Sequence, residues 1–320
     1  MNIEHSFHDL SRLTADFHLK LNTMFSSHLV LGTAQLGLTY GVANRTGQPD
    51  QKMATSIIAE AWKCGIREFD TAQGYGISEM VLGKALSELR ISSQARVISK
   101  FDPHLDHLNA MILSDSLDKS LEQLGIQNLY GIMLHREEML SFWNQGISII
   151  LNNIVQSGRA SHIGVAVYSP EKAIQALNLE GIDMVQIPTN ILDRRFEDAG
   201  VYELAERKKK QLYIRSIFLQ GLILMGLEEI PEKLSFAKPI IEKIDMLSRD
   251  FNLSRSEIAM GYLKAQMPNA HVMFGAETPI QVKNNTDAWQ KEIPESFCRQ
   301  IRMTFADETE RLLNPVLWPQ

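Results

Sequence analysis

From residue 28 onward, the chain alternates short apolar segments with longer segments of helical periodicity. Such alternation is typical of βα units arranged around a parallel sheet. Eight units in one run predict an α/β protein with a closed (β/α)8 TIM barrel. An open doubly wound sheet is disfavoured because no GxGxxG motif follows the first apolar segment. The predicted strands lie near His28–Ala34, Gly65–Asp70, Ala95–Lys100, Leu129–His135, His162–Val167, Met184–Pro188, Leu212–Ser216 and Ala270–Phe274.

The predicted helices alternate with these strands, and two further helices lie outside the repeat. Residues 1–27 carry apolar side chains at spacings that suit one helical face, which predicts an N-terminal, helical extension. We find no internal linker, so residues 28–320 are interpreted as a single barrel domain. The repeat helices are predicted at Gln51–Lys63, Ser78–Leu89, Leu105–Leu124, Ser141–Ser157, Pro170–Asn178, Glu197–Lys209, Lys238–Asp250 and Pro279–Ala288, and the extra ones at Ser254–Gln266 and Glu295–Glu310.

Composition narrows the classes of partner. A net charge of −6 argues against nucleic acid or an anionic membrane, because both favour a basic surface. Cys64 and Cys298 form no CxxC motif, which argues against a disulfide scaffold and against a zinc site. The N-terminus carries charges throughout and has no long apolar stretch, so we expect a cytoplasmic protein without a membrane span. A small molecule is therefore the expected partner.

Polar residues end three consecutive predicted strands, at Asp70, Lys100 and His135. Tyr75 lies in the loop after the first of these strands, and Ser78 is placed to cap the following helix. In a barrel of this type the strand ends and the loops that follow them build the active site. Taken singly, each residue has an ordinary structural interpretation as a cap, a solvated side chain or a core polar group. Their order on consecutive strands favours catalysis.

These side chains indicate proton transfer rather than metal binding. Lysine is a poor metal ligand, and one His with one Asp is too few for zinc. A neighbouring ammonium lowers the pKa of a phenol, so Tyr75 beside Lys100 is expected to act as an acid or base near neutrality. Asp70 is expected to pair with Lys100, because an unpaired buried ammonium is costly. His135 is expected to orient a substrate oxygen by hydrogen bonding.

These residues belong to motifs that resemble the aldo-keto reductase superfamily, from Leu29 to about Asn285. The resemblance implies a barrel that binds an extended nicotinamide dinucleotide and transfers hydride to an aldehyde or ketone. It also implies that Tyr75 gives the proton, that Lys100 and Asp70 tune Tyr75, and that His135 orients the carbonyl. The motifs, in chain order, are LVLGTAQLG, FDTAQGYGISEMVLGKAL, VISK, GIMLHR, HIGVAVYSP, VQIPTNILDRR, SIFLQGLILM and FGAETPIQVKNN.

The resemblance further assigns cofactor-binding positions. Gln186 matches a glutamine that binds the nicotinamide carboxamide, and the loop after strand 7 matches one that covers the pyrophosphate. The amides of the helix after Gly275 could hold a phosphate, although an ordinary strand-to-helix turn explains this glycine equally well. The remaining implied contacts are Ser216, Leu219 and Gly221 for the pyrophosphate loop, Ala276 beside Gly275, and Asn284 and Asn285 for adenine.

Several residues depart from the family pattern. Glu277 and Gln281 stand where NADP-preferring relatives carry Arg or Lys, so the expected cofactor is NAD(H), which lacks a 2′-phosphate. Lys283 lies close enough to keep NADP(H) open. Ala166 and Val167 replace a Ser–Asn pair that many members use to hold the carboxamide.

Arg215 replaces an aromatic residue that often stacks on the nicotinamide. A guanidinium can stack on a flat ring but disfavours the positively charged oxidised form. The reduced cofactor is therefore expected to bind more tightly than the oxidised one.

The substrate pocket is expected to be polar. The long loop after strand 1 contributes Tyr40, Asn44 and Arg45, and Asn190 follows strand 6. Trp318 either closes over the pocket or anchors the C-terminal helix. These residues favour a polar, anionic or sugar-like carbonyl compound over a steroid or an aromatic aldehyde. The pattern is similar to bacterial members associated with surface polysaccharide or nucleotide-sugar metabolism.

Two other functions remain open from the sequence. Some barrels of this superfamily serve as regulatory subunits, so a nucleotide-sensing protein is one alternative. The other is an epimerase or dehydratase that acts on a sugar with a tightly bound nicotinamide cofactor and no net redox change. The intact set of Asp70, Tyr75, Lys100 and His135 favours the reductase.

Overall fold

The computed structural model describes residues 28–306 and 308–319. Eight parallel strands close into a barrel in which β1 pairs with both β2 and β8. This arrangement confirms the predicted (β/α)8 barrel, and the extension predicted for residues 1–27 lies outside the described residues. The strands are β1 Leu29–Gly32, β2 Glu68–Asp70, β3 Arg96–Lys100, β4 Leu129–Leu134, β5 Ala160–Ala166, β6 Met184–Pro188, β7 Gln211–Arg215 and β8 His271–Gly275.

The helices surround the barrel, and short 3-10 turns occupy several loops. The α-helices are α1 Ala34–Gly37, α2 Gln51–Lys63, α3 Ser78–Glu88, α4 Ala110–Leu124, α5 Ile147–Gln156, α6 Pro170–Asn178, α7 Arg195–Asp198, α8 Val201–Lys208, α9 Lys238–Phe251, α10 Arg255–Gln266, α11 Pro279–Gln290, α12 Glu295–Thr304 and α13 Glu310–Leu313. The 3-10 helices are Glu137–Gln145, Leu219–Leu224, Leu227–Glu229, Glu232–Ala237 and Pro315–Leu317.

Some predicted element boundaries were wrong, and local backbone geometry explains them. The predicted helix 141–157 breaks at Gly146, which has φ 131°, and the predicted helix 197–209 breaks at Gly200, which has φ 69°. Helix α4 begins later than predicted because the Asn109 side chain accepts hydrogen bonds from the first free backbone amides. The predicted C-terminal helix 295–310 ends at Thr304, and α13 follows as a separate turn.

Side chains fill the barrel interior. Met133, Met184, Tyr213 and Met273 pack there with Val30 and Ile98. Flexible methionines adapt to the irregular space between strands. A Cβ added at position 131 would lie 2.6 Å from the Met184 sulfur, so the glycine of β4 makes room for this packing. The barrel interior is therefore a packed core rather than a pore.

A buried carboxylate closes the N-terminal end of the barrel, opposite the predicted site. Glu68 accepts hydrogen bonds from Arg96, at 3.1 Å, and from the Tyr213 hydroxyl, at 2.9 Å. Its pKa lies below the ordinary value because hydrogen bonds and the charge of His271 outweigh the effect of burial.

Among the described helices, none is both long and apolar enough to cross a membrane.

Candidate active site

The predicted catalytic residues meet at the C-terminal end of the barrel. Asp70 ends β2, Lys100 ends β3 and His135 directly follows β4. Tyr75 lies in the turn between β2 and α3. Tyr75, His135 and Asp70 line a cleft of about 750 Å³, and Lys100 lies buried behind them. A cleft of this size suits an organic ligand rather than a macromolecule.

A buried ion pair supports this end of the cleft. Lys100 Nζ donates to Asp70 Oδ1 at 2.5 Å and to the Thr71 carbonyl oxygen at 2.9 Å. Gln186 Nε2 donates to the other Asp70 oxygen at 2.9 Å. Both charged side chains are almost completely excluded from solvent, at 0% and 2% exposure. Charges that are removed from water in this way depend strongly on each other.

Tyr75 packs between the lysine and the histidine. The Lys100 nitrogen lies 5.1 Å from the centre of the Tyr75 ring, and the Tyr75 and His135 rings meet edge to face at 5.7 Å. Burial raises the pKa of Tyr75 from its ordinary value, and the Asp70 carboxylate adds to this effect. The expected lowering of the pKa of Tyr75 was wrong, because burial and the Asp70 carboxylate together raise it.

His135 is neutral at physiological pH. Burial lowers the pKa of His135 to about 3, and the positive charges of Lys100 and Arg215 act in the same direction. Its Nδ1 atom is buried and has no hydrogen-bond partner among the described residues. A neutral imidazole beside a tyrosine hydroxyl can donate a hydrogen bond to a ligand oxygen and remain neutral.

Close backbone approaches hold the turn that carries Tyr75. A Cβ added to Gly37 in α1 would lie 1.9 Å from the Tyr75 carbonyl oxygen, and one added to Gly76 would lie 2.5 Å from the Gly37 carbonyl oxygen. Ser78 does not cap α3 as predicted, since its hydroxyl is buried and donates to the Thr33 carbonyl oxygen at 2.8 Å. The side chain thus ties the turn to β1 instead.

The cleft continues from Tyr75 across the barrel mouth towards α11. The loop after β7 forms one wall, and Ser216, Leu219 and Gln220 adopt positive φ angles there. Non-glycine residues in this conformation are uncommon and cluster at ligand sites. Nine of the predicted cofactor residues line the cleft: Gln186, Arg215, Ser216, Gly221, Gly275, Glu277, Gln281, Asn284 and Asn285.

A family model described as the Aldo/keto reductase family matches residues 28–304. The match covers most of the 320 residues. The chain belongs to the aldo/keto reductase family. It is an NAD(P)H-dependent oxidoreductase that reduces carbonyl groups.

Individual relatives agree with this assignment. The reductase is 25% identical over 318 residues to the NADH-specific methylglyoxal reductase of Escherichia coli strain K12, with 89% of this chain and 96% of the relative covered. It is 24% identical over 298 residues to the L-glyceraldehyde 3-phosphate reductase of Escherichia coli O157:H7, covering 82% and 85%. A solved glycerol dehydrogenase from Gluconobacter oxydans shares the fold, with a TM-score of 0.71, 21% identity and coverage of 88% and 91%.

The described residues fit a nicotinamide dinucleotide. One continuous cleft is lined by Tyr75 and by Asn284 and Asn285 on α11. Thr278 caps α11 by accepting from the Gln281 amide at 3.3 Å, so the helix presents its positive end at this side of the cleft. The Gln186 side-chain nitrogen donates to Asp70, so its carbonyl oxygen could accept a hydrogen bond from the nicotinamide carboxamide.

The end of the cleft that lies against α11 carries a carboxylate. Glu277 lines the cleft, and its backbone amide donates to Gln281 Oε1 at 2.6 Å. The pKa of Glu277 lies above its ordinary value, because the effect of burial exceeds the opposite effect of hydrogen bonds with Gln281 and Thr46. Lys283 is turned to solvent and pairs with Asp287 at 2.5 Å, so it does not line the cleft.

Two loops of the reductase meet above the cleft. Arg45 in the β1 loop donates to the Glu229 carbonyl oxygen at 3.0 Å, and the Ala43 amide donates to the Gln220 carbonyl oxygen at 3.4 Å. Gly221 allows this approach, since a Cβ there would lie 2.5 Å from that of Ala43. A bound dinucleotide would therefore be covered by the loops that follow β1 and β7.

The structure places some predicted site residues away from the cleft. Leu219 and Ala276 are buried behind its wall. Asn44 organises its own loop by accepting from the Gly47 amide at 2.7 Å. Asn190 accepts from the Leu192 amide at 2.9 Å, and its amide group donates to the Ser216 carbonyl oxygen. Asn44 and Asn190 therefore shape loops rather than line the cleft.

Trp318 anchors the C-terminal segment and does not close the pocket. Its indole Nε1 donates to the Arg311 carbonyl oxygen at 3.0 Å, and the ring is buried. Of the two roles left open for this residue, the structure shows the anchor. Tyr40 and Arg45 do line the cleft.

Sequence reasoning missed the contribution of the α10 entry. Ser254, Arg255 and Ser256 line the cleft, and Arg255 is held by Asp245 at 2.5 Å. The sequence SRSE contains a capping box, which marks the helix start at Ser254 but not the neighbouring cleft. Gln35, which also lines the cleft, was missed as well. It packs closely against Gly275, where an added Cβ would lie 2.2 Å from the Gln35 side-chain nitrogen.

Gly37→Ala tests whether α1 positions Tyr75. The added methyl would displace the Tyr75 backbone, and a shift of about 1 Å can cost about 100-fold in rate. We therefore expect kcat to fall about 100-fold while circular dichroism shows a folded barrel. Gly226→Ala is the control, because its Cβ would meet only the flexible Glu229 side chain, at 3.3 Å. Equal kcat values in the two variants would contradict the positioning role.

Proposed function

We propose that the protein reduces a small, polar aldehyde or ketone to an alcohol, with NAD(H) as the preferred cofactor and Tyr75 as the proton donor. The observation that carries this proposal is the buried Lys100–Asp70 pair beneath Tyr75, with His135 alongside, at one end of a dinucleotide-sized cleft. The reductase family supplies the reaction class.

Tyr75 is the group best suited to deliver the proton. Its raised pKa keeps the hydroxyl protonated at neutral pH, and a hydroxyl that gives up its proton in the transition state must hold it beforehand. Lys100 lies close enough to stabilise the phenolate that forms. Asp70 holds the lysine in place, and burial lowers the pKa of Lys100 despite this partner.

His135 would orient the substrate rather than donate the proton. A group with a pKa of about 3 carries no extra proton at neutral pH. Its neutral ring can still donate one hydrogen bond to the carbonyl oxygen, which fixes the carbonyl between His135 and Tyr75. When bound, the nicotinamide cofactor supplies the hydride that reduces the carbonyl carbon.

The residues that would hold the cofactor extend along the cleft. Gln186 would bind the carboxamide, and Ser216 with Gly221 would bind the pyrophosphate. Asn284 and Asn285 would contact the adenine. Ala166 lines the cleft where many members carry a polar carboxamide contact, so the Gln186 carbonyl oxygen is the main side-chain acceptor left for that group.

The polar lining supports a small, polar carbonyl substrate. Tyr40 and Arg45 line the same cleft as Tyr75 and His135. The two Escherichia coli relatives are named for reduction of methylglyoxal and L-glyceraldehyde 3-phosphate, which are both small and polar. A sugar-derived aldehyde or ketone falls within the same class.

The test is to purify the protein and follow nicotinamide absorbance with NADH or NADPH and a panel of small carbonyl compounds. We expect cofactor oxidation that matches alcohol formation. Substrate conversion with retained cofactor and no net absorbance change would instead indicate an epimerase or dehydratase. Cofactor binding without any conversion would indicate a nucleotide-sensing regulator, and either result would contradict the proposal.

Glu277 provides the test of cofactor preference. Its carboxylate would repel a 2′-phosphate but could accept hydrogen bonds from a free ribose. We expect Glu277→Ala to tighten NADPH binding about tenfold relative to NADH, which corresponds to about 1.4 kcal/mol. Dissociation constants from quenching of protein fluorescence measure this ratio. Glu228→Ala, on an acidic residue that does not line the cleft, is the control. An unchanged ratio in Glu277→Ala would show that this carboxylate does not select the cofactor.

A further inference from the structure

Arg215 is a cation in the cleft whose hydrogen-bonding capacity is only partly used. Its guanidinium lies over the Tyr168 ring, with Cζ 4.4 Å from the ring centre. Its Nη1 donates to the Ser216 hydroxyl at 3.3 Å, whereas the buried Nη2 has no partner among the described residues. A buried donor without an acceptor is unfavourable, and it points to a group that is supplied from outside the chain.

The other arginines of the cleft are already engaged by the protein. Arg255 pairs with Asp245 at 2.5 Å, and Arg45 donates to the Glu229 carbonyl oxygen. Asp70, an acidic residue at the catalytic end, already pairs with Lys100 and accepts a hydrogen bond from Gln186. Within residues 28–306 and 308–319, no carboxylate forms an ion pair with Arg215. The guanidinium is therefore available to an anion that enters the cleft.

Arg215 lies at the reacting end of the cleft rather than the adenosine end. It ends β7, and its positive charge acts on Tyr75, His135 and Tyr40. All four residues line the same cleft. The Tyr168 ring supports one face of the guanidinium and limits its movement. A guanidinium held in this way is suited to carboxylate or phosphate oxygens.

We infer that Arg215 binds an anionic group of the substrate, so that the substrates are carbonyl compounds with a carboxylate or phosphate near the reacting carbonyl. Tyr168 holds the guanidinium towards that anion, while Tyr75 and His135 face the carbonyl oxygen. The reaction converts an oxo acid or a phosphorylated aldehyde into the corresponding alcohol, with one hydride from the cofactor and one proton from Tyr75. This inference rests on the proposed function.

The experiment compares matched charged and neutral substrates. One pair is succinic semialdehyde and 4-oxobutanamide, and the other is glyceraldehyde 3-phosphate and glyceraldehyde. We expect a higher kcat/KM for the charged member of at least one pair, and the pair that responds identifies the anion as carboxylate or phosphate. In Arg215→Leu we expect the charged-to-neutral ratio of kcat/KM to fall about 30-fold or more. Arg215→Lys, which keeps the charge, should recover part of this ratio.

The ratio separates substrate recognition from cofactor binding. If Arg215 served only the nicotinamide or the packing of Tyr168, kcat/KM would change equally for both members of each pair. Turnover of the neutral compounds without any preference for the charged ones, or an unchanged ratio in Arg215→Leu, would overturn the inference and leave the reductase proposal intact.

A binding measurement tests the inference even without turnover. Calorimetry would compare 4-hydroxybutyrate with 4-hydroxybutanamide, and glycerol 3-phosphate with glycerol, each added to the protein with saturating NAD⁺. We expect the anion of at least one pair to bind more tightly than its neutral counterpart, and this difference to be lost in Arg215→Leu. Equal affinities within both pairs would overturn the inference. Failure of all carbonyl reduction alongside Arg215-dependent anion binding would instead contradict only the proposed function.

Discussion

Replacing Tyr75 with phenylalanine is expected to lower kcat by about 100-fold to 10,000-fold. The change removes one oxygen atom and leaves the ring that packs against Lys100 and His135. Because the pKa of His135 is about 3, the histidine cannot supply the missing proton at neutral pH. The loss should therefore appear in the chemical step, while the dissociation constant for NADH stays close to that of the native protein.

Single-turnover measurements of NADH oxidation provide the readout for Tyr75→Phe. Tyr130→Phe is a matched control, because its hydroxyl bonds Gln211 at the opposite end of the barrel, at 3.2 Å. A kcat in Tyr75→Phe within about threefold of the control would show that another group donates the proton.

In the native protein, kcat should be flat from about pH 6 to pH 9, since Tyr75 stays protonated and His135 stays neutral over this range.

Lys100→Met is expected to reduce both stability and activity. It leaves the Asp70 carboxylate buried with only the Gln186 amide as a side-chain partner. Breaking a buried ion pair in this way costs about 3–5 kcal/mol of unfolding free energy. The Thr71 carbonyl oxygen also loses the donor that it has at 2.9 Å. Denaturant unfolding measures the stability change, and kcat is measured below the unfolding transition.

A second variant separates the structural role of the pair from its catalytic one. Asp70→Asn combined with Lys100→Met removes both charges, so much of the lost stability should return while kcat stays low. Return of kcat with stability would show that the pair only supports the fold. Lys283→Met is the surface control, because the exposed Lys283–Asp287 pair is worth only about 0.5 kcal/mol.

The barrel itself was predictable because it depends on a periodic pattern. Each strand is buried on both faces and each helix on one, so apolar segments recur at a spacing that the sequence displays directly. The same argument located Asp70, Lys100 and His135, since a polar residue at the end of an apolar run has one obvious position in a barrel. Tyr75 followed from the motif in the next turn.

The environment of these residues was not predictable in the same way. Proximity to Lys100 in the sequence pattern suggested a lower pKa for Tyr75, yet burial and the Asp70 carboxylate raise it. The pKa of a group depends on all neighbours and on its distance from water, which come from strands far apart in the chain. Gln186, 116 positions from Asp70, is one such neighbour.

Loop residues were the least predictable from the sequence. Asn44, Asn190 and Trp318 have the polar or aromatic character of binding residues, but the structure uses them to fold loops and to anchor the C-terminal segment. Conversely, Arg255 reads as an ordinary helix-start residue and lies in the cleft. Local hydrogen bonds compete for the same side chains that could bind ligands, and only the folded loop shows which contact forms.

The sequence by itself determined the architecture and the place of Asp70, Lys100 and His135 at the strand ends, because these follow from periodicity and from positions along strands, and its family motifs gave the reaction class. The tertiary structure decided which pKa values are shifted and in which direction, which loop residues reach the cleft, and that Arg215 lies on Tyr168 with one nitrogen unpartnered. These properties arise from burial and from contacts between segments distant in sequence, and electrostatic and packing energies depend on those distances.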